Sequence, residues 1–255
     1  MLHVVTAANR SIYEAPLAEM HRLRWNYYVE ERGWRELREM QKTPGLEYDP
    51  YDDDEAIYLL ALDAGGAFAG CIRLRRTDDR SLLTDRFSHL VENWGATKLG
   101  ADVWEITRVV RRREHRTQDR LLRMSMNCAM LELAVSRRVR MLVGTTDSFM
   151  VPHTREFWRE KVRPLGLPQP YEEGEAIALA FEVDPEGLRA IRERAGLSVP
   201  QIFEAAPPFS DREYTPHVEA RVASLMHGLP SETSRELLSW LEARAANQAG
   251  EARVQ

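Results

Sequence analysis

The residues best suited to chemistry lie in the stretch DVWEITRVVRRREHR, Asp102 to Arg116. Val103 to Val110 is rich in β-branched and aromatic residues, the composition of a strand. Glu105, Thr107 and Arg108 interrupt it where a strand covered on both faces is continuously apolar. Charges withdrawn from water are costly unless they are paired or bind something. The strand therefore carries either an internal Glu–Arg ion pair on a half-exposed face or a site for a polar substrate with an anionic handle. A basic run, Arg111, Arg112, Arg113 and Arg116, follows at once.

A second concentration of charge is EYDPYDDDE, with Glu47, Asp49, Asp52, Asp53, Asp54 and Glu55. It falls in a segment from Trp34 to Glu55 that shows no clear periodicity. Long structureless connections in compact domains are often functional. The spacing lacks the glycine and the distal glutamate of an EF-hand loop, so calcium is set aside. A solvated loop and a ligand-contacting loop both remain open.

Positioning these residues requires a series of elements. Leu2 to Thr6 reads as a strand. Tyr13 to Glu31 reads as a helix ending at Gly33, with Arg24 and Tyr28 four apart on one face. Ala56 to Asp63 and Ala67 to Arg76 are apolar runs around a Gly-Gly turn, a hairpin signal, and alternation puts Arg73 and Arg75 on one face. Ser81 to Leu90 is a short helix with Phe87 on its apolar side. Thr117 to Arg137 is a helix with a broad apolar stripe that includes Met124. Met141 to Thr145 is a buried strand, a helix runs through DSFMVPHTREFWREKV, and Ala176 to Val183 is a strand. Asp184-Pro185 is a helix start, a capping residue followed by proline in the first turn. The order predicts a three-layer α-β-α sandwich around a mixed sheet, residues 1–184, with an accessory helical extension over 185–255. The extension would contain helices at Glu186 to Ala195, Pro216 to His227 and Ser231 to Asn247, and a disordered end.

Composition narrows the function. At 255 residues with 44% hydrophobic content the chain can bury a good core. A net charge of -5 argues against general nucleic-acid binding. Two cysteines, Cys71 and Cys128, form no disulfide framework or metal site. No signal peptide and no apolar run long enough to span a membrane is present, so a cytoplasmic location is expected. Nucleotide-binding glycine motifs, H-E-x-x-H and G-x-S-x-G are all missing.

The motifs RLRWNYYVEERGW, EYDPYD, GCIRL, Phe87 and WEITR occur in an order and at intervals that resemble the acyl-homoserine-lactone synthases, the LuxI-type autoinducer synthases. The resemblance covers Leu2 to Val183 and implies a GNAT-like N-acyltransferase fold. Tyr28 replaces the usual Phe, Thr107 the usual Ser, and RLRRTDD the usual RLLPT continuation. The resemblance implies S-adenosylmethionine as one substrate and an acyl thioester on coenzyme A or acyl carrier protein as the other, with no further cofactor. The methionyl amine would attack the thioester, and the methionyl carboxylate would then displace methylthioadenosine and close the lactone.

It further implies Glu105 and Arg108 as catalytic, and Arg24, Tyr28, Trp34, Asp49 and Asp52 as contacts to S-adenosylmethionine. Arg73, Phe87 and Thr107 would support the site. Arg111, Arg112, Arg113, Arg116 and Arg120 would flank the donor entrance, with Met124, Met141 and Phe149 around the acyl chain. Glu105 and Arg108 are three apart and would leave a regular strand on opposite faces, so a bulge between them is expected. An acyltransferase without lactonisation and a non-catalytic ligand-binding homologue are the alternative readings.

Overall fold

The computed structural model describes residues 1–205, except 64, 113–115 and 173; the side chains of 116–119 are also outside the description. Nine strands form one mixed sheet: β1 (Leu2–Val5), β2 (Ile57–Leu62), β3 (Phe68–Arg76), β4 (Val103–Arg111), β5 (Met141–Asp147), β6 (Val162–Pro164), β7 (Gln169–Tyr171), β8 (Gly174–Glu182) and β9 (Ile202–Phe203). Their order is β6-β8-β5-β4-β3-β2-β1-β9, with β7 also on β8. The β4–β5 and β1–β9 pairs are parallel and the remainder antiparallel.

Strand alternation sends successive side chains to opposite faces, and each face has its own cover. On one, Leu59, Ile72, Leu74, Trp104, Leu142 and Leu179 pack under α4 (Arg116–Ser136) and α6 (Pro185–Ala195). On the other, Tyr58, Leu60 and Cys71 pack under α1 (Glu14–Arg24). Val103, Met141 and Val143 continue that face under α3 (Leu82–Asp85), with Leu83 and Phe87. The three-layer arrangement expected from the element order is what the chain adopts. Two further helices, α2 (Arg35–Met40) and α5 (Val151–Trp158), complete it. The former lies in the segment read as irregular, and β6, β7 and β9 are too short to give a periodic signal.

Three local features position the buried charges. The helix expected to run to Glu31 changes to π-helix over Trp25–Glu31, and Arg32 N–H bonds back to Tyr27 O at 2.9 Å. Such widenings are often found at functional sites. The β3–β4 register slips between Cys71 and Arg73, which face Val110 and Thr107. The extra residue on β4 is a bulge, and Arg108 inside it takes the left-handed φ of 51°. Finally, β4 pairs with β5 only as far as Ile106 and Gly144, while β5 continues along β8 to Asp147. The two central strands therefore part beyond Gly144.

The compact body continues past Asp184 to the last of the described residues, Ala205. Asp184 caps α6 through Gly187 N–H at 2.7 Å, and α6 packs on α4. The reason lies in Glu132 of α4, whose buried carboxylate accepts from Arg192 and from the backbone N–H of Gln201 (2.7 Å) and Ile202 (3.2 Å). The helices expected at Pro216 to His227 and Ser231 to Asn247, and the chain end, lie outside the described residues. No helix among the described residues is long and apolar enough to cross a membrane.

A Cβ at Gly144 would lie 2.9 Å from the Ile106 carbonyl oxygen, too close for either backbone to remain in place. Gly144→Ala is therefore expected to lower stability by about 1–3 kcal/mol, the usual cost of overpacking. Urea unfolding with an unchanged midpoint would show that the opening between β4 and β5 tolerates a wider spacing.

Candidate active site

Below α1, three arginines and three carboxylates form a single buried network. Arg24 forks onto Asp52 at 2.7 and 2.8 Å and donates its Nε to Glu47. Arg73 grips Asp49, reaches Asp52 at 2.8 Å and donates its Nε to Thr107 Oγ1 at 2.9 Å. Arg108, swung inward by the bulge, binds Glu47 at 2.9 Å and Asp49 at 2.6 Å. Tyr58 adds a hydroxyl to Asp52 at 2.7 Å. All six charged side chains are buried, those of Arg24 and Glu47 with no exposure, although Asp49 and Asp52 leave part of their backbone open.

The charges balance, three against three, and geometry decides how each group titrates. Burial alone would raise the three carboxyls. It is outweighed by Arg108 and Arg24 at Glu47, by Arg108 and Arg73 at Asp49, and by Arg24 and Arg73 at Asp52, so all three lie below the ordinary carboxylate range.

Glu105 behaves differently. It is 2% exposed and pairs with no arginine among the described residues. Its two oxygens accept from Leu82 N–H at 2.8 Å and Leu83 N–H at 2.6 Å, at the start of α3. Burial pushes it up to about 7, against the pull of those two amides and of Arg73. A carboxylate half-protonated near neutrality, buried and next to an Arg–Asp cluster, is suited to moving a proton. Just past the gap between β4 and β5, Thr145 Oγ1 is buried and has no hydrogen-bond partner among the described residues. A bound ligand is one way to satisfy such an atom.

Aromatic side chains line the edge of this cluster. Trp34 stacks on Tyr28 at 5.0 Å between ring centres, and the Arg108 guanidinium lies 5.2 Å from the Tyr28 ring. Phe87 packs near them through Tyr171. The structure thus gathers Arg24, Tyr28, Trp34, Asp49, Asp52, Arg73, Phe87, Glu105, Thr107 and Arg108 into one region. It does not leave Asp49 and Asp52 open to a cationic ligand, because guanidinium groups already fill them.

The expected acyl contacts do not assemble. Met141 packs with Leu83 and Phe87 on one sheet face, Met124 is half-buried on α4 over the other, and Phe149 is 63% exposed. A recess of about 40 Å³ lies instead between the sheet and α4, lined by Ile72, Val109, Arg111, Arg123, Met126, Asn127 and Met130. Arg112 and Arg120 are exposed near it in sequence, and Arg112 pairs with Glu19; Arg113 and the Arg116 side chain lie outside the described residues.

Glu47, at the centre of the network, is visible in the sequence only as one acid in a run. His21 holds it in place, binding Glu47 O at 2.7 Å, with its imidazole driven down to about 4 by burial and then by Arg24. Among the described residues no cluster of His, Cys, Asp and Glu has the makings of a metal site.

Comparison with known proteins decides the family. The autoinducer synthase family model matches residues 9–191. The chain belongs to the autoinducer synthases. It is 31% identical over 211 residues to the isovaleryl-homoserine lactone synthase of Bradyrhizobium diazoefficiens, covering 83% of this chain and 92% of that one. Among solved structures it is similar to a CoA-dependent acyl-homoserine lactone synthase, BjaI, solved with SAM and isopentyl-CoA. There the identity is 29%, the TM-score 0.71, and the coverage 82% of this chain and 95% of that one. It is also similar to TofI, solved in a ternary complex with an inhibitor and MTA, at 27% identity and TM-score 0.60, covering 75% of this chain and 96% of that one.

Removing one partner of a buried ion pair leaves an uncompensated charge. Arg24→Leu is expected to cost about 3–5 kcal/mol, read by urea unfolding near neutral pH. A loss within error would mean that Glu47 and Asp52 find other partners. The carboxylates have folded values below their ordinary 4.5 and 3.8, so their contribution is full above those values and is lost as the pH falls through the folded ones. Glu105 has the opposite sign. Its folded value of about 7 exceeds 4.5, so its contribution falls as the pH rises across that window.

Proposed function

We infer that this autoinducer synthase acylates S-adenosylmethionine from an acyl thioester and closes the product to an acyl-homoserine lactone, releasing methylthioadenosine. The observation that carries the reading is Glu105, a buried carboxylate near pH 7 on the sheet face beside the parting of β4 and β5. In the first step the methionyl amine loses a proton to Glu105, directly or through a water, and its nitrogen attacks the thioester carbonyl while the thiol leaves. Backbone N–H groups where β4 parts from β5 are well placed to meet the oxyanion. In the second step the methionyl carboxylate attacks the carbon bearing the sulfonium, and neutral methylthioadenosine departs. Both steps are displacements and call for no redox cofactor.

Each member of the network then has a role that fits its contacts. Glu47, Asp49 and Asp52 hold Arg24, Arg73 and Arg108 rigid and inward, so that a site for a zwitterionic substrate is in place before it binds. Arg108, whose guanidinium lies 5.2 Å from the Tyr28 ring, is the cation we assign to the methionyl carboxylate, with Arg24 holding the acids behind it. Thr107 and Arg73 fix the strand that carries Glu105.

The donor we assign is an acyl-coenzyme A with a short acyl group. The relatives named for isovaleryl products and for CoA dependence support it. The recess lies between the sheet and α4, and Glu105 lies on the opposite, α3 side of the sheet, so in this reading the acyl chain reaches across where β4 and β5 part. Arg111 and Arg123 at the recess are suited to the donor's phosphates.

The test is to incubate the protein with S-adenosylmethionine and either isovaleryl-CoA or acyl-loaded carrier protein, and to identify products by mass spectrometry. Equal amounts of acyl-homoserine lactone and methylthioadenosine are expected, with CoA the better donor. Acylated product without methylthioadenosine would demote the protein to a simple acyltransferase. Glu105→Gln should lower kcat/KM about 100-fold or more, the usual worth of a general base. In the wild type the rising limb of the pH profile should have its midpoint near 7, set by Glu105. A folded Glu105→Gln protein that keeps full turnover and the same pH profile would remove Glu105 from the mechanism.

A further inference from the structure

Beside the network, Tyr28, Trp34, Tyr171 and Phe87 form a continuous row of rings. Trp34 and Tyr28 are stacked, with planes 26° apart. Tyr171 meets Trp34 edge to face at 5.8 Å and 81°, and meets Phe87 the same way at 5.0 Å and 71°. Tyr171 comes from far along the chain. It ends β7, a three-residue strand paired with β8. Tyr171 is half-buried, between the Trp34 and Phe87 rings.

The charge balance limits what this row can do. Asp49 and Asp52 are filled by Arg24, Arg73 and Arg108, so the network offers no free carboxylate to a cationic ligand. The negative faces of aromatic rings are what remain for a sulfonium. They are also the natural surface for a purine, which stacks on aromatic side chains. We propose that Tyr171 is a substrate-binding and specificity-determining residue, which closes the adenosyl pocket against Trp34 and Phe87 from the β7–β8 hairpin. This rests on the proposed synthase reaction, in which the acylated substrate carries an adenine and a sulfonium.

The test uses the full chain and separates nucleoside binding from turnover. Binding of methylthioadenosine alone is measured by calorimetry, and KM for each substrate is measured in the lactone assay. Tyr171→Ala is expected to weaken methylthioadenosine about tenfold or more, in the range found for loss of a base-stacking ring. KM for S-adenosylmethionine should rise in parallel, with KM for the acyl thioester within about twofold of wild type. Tyr171→Phe should restore both, and Tyr171→Leu, which keeps bulk if the alanine variant unfolds, should not. A folded Tyr171→Ala or Tyr171→Leu protein with wild-type methylthioadenosine affinity would overturn the assignment. So would an equal rise in both KM values, which would mark a packing role. A wild-type protein that neither binds nor releases methylthioadenosine would instead overturn the synthase reading itself.

Discussion

The structure depends on keeping six buried charges neutral as a group. An isolated guanidinium or carboxylate in this position would be expelled or would lose its charge. Here each acid has at least two cationic or hydroxyl partners, and each arginine reaches at least two acids or an acid and Thr107. This requirement explains several features that otherwise look unrelated. The loop carrying Glu47, Asp49 and Asp52 must cross under α1, and His21 and Gln41 fasten it there through backbone bonds. The bulge in β4 must turn Arg108 inward, and the left-handed φ of that residue is the conformational cost.

The same constraint separates two kinds of carboxylate in one site. Glu47, Asp49 and Asp52 are locked in the ionised state by arginines. Glu105, beside that cluster, accepts hydrogen bonds from two backbone amides, and burial pushes it up to about 7. Fixed charge and exchangeable proton are thereby assigned to different residues by environment, not by residue type.

Much of this was legible in the sequence, where spacing and burial leave a periodic trace. Alternation along β3 put Arg73 and Arg75 on one face, and the three-residue separation of Glu105 and Arg108 pointed to a bulge as the way to bring both to one side; β4 has a bulge there. The apolar runs gave β2 to β5, β8 and α4 within a few residues. What the sequence hid depends on which sheet face a side chain occupies or on loop geometry. Met124, Met141 and Phe149 looked like a shared lining, yet the sheet stands between the first two. Glu47 looked like one more acid in a solvated run, because loops carry no period to mark an inward-facing residue. Tyr171 sits in a strand too short to signal itself.

The buried carboxylate of Glu132 has a consequence for where the domain ends. Its partners, Arg192 and the amides of Gln201 and Ile202, all come from beyond the sheet's last long strand, and Leu2 N–H also bonds to Gln201 O at 2.7 Å. A fragment trimmed to the family-matching stretch, residues 9–191, would lose β1 together with these three partners of Glu132 and strand that anion in an apolar layer. The segment up to Phe203 thus acts as a clasp, pairing with the first strand and closing over the Glu132 carboxylate.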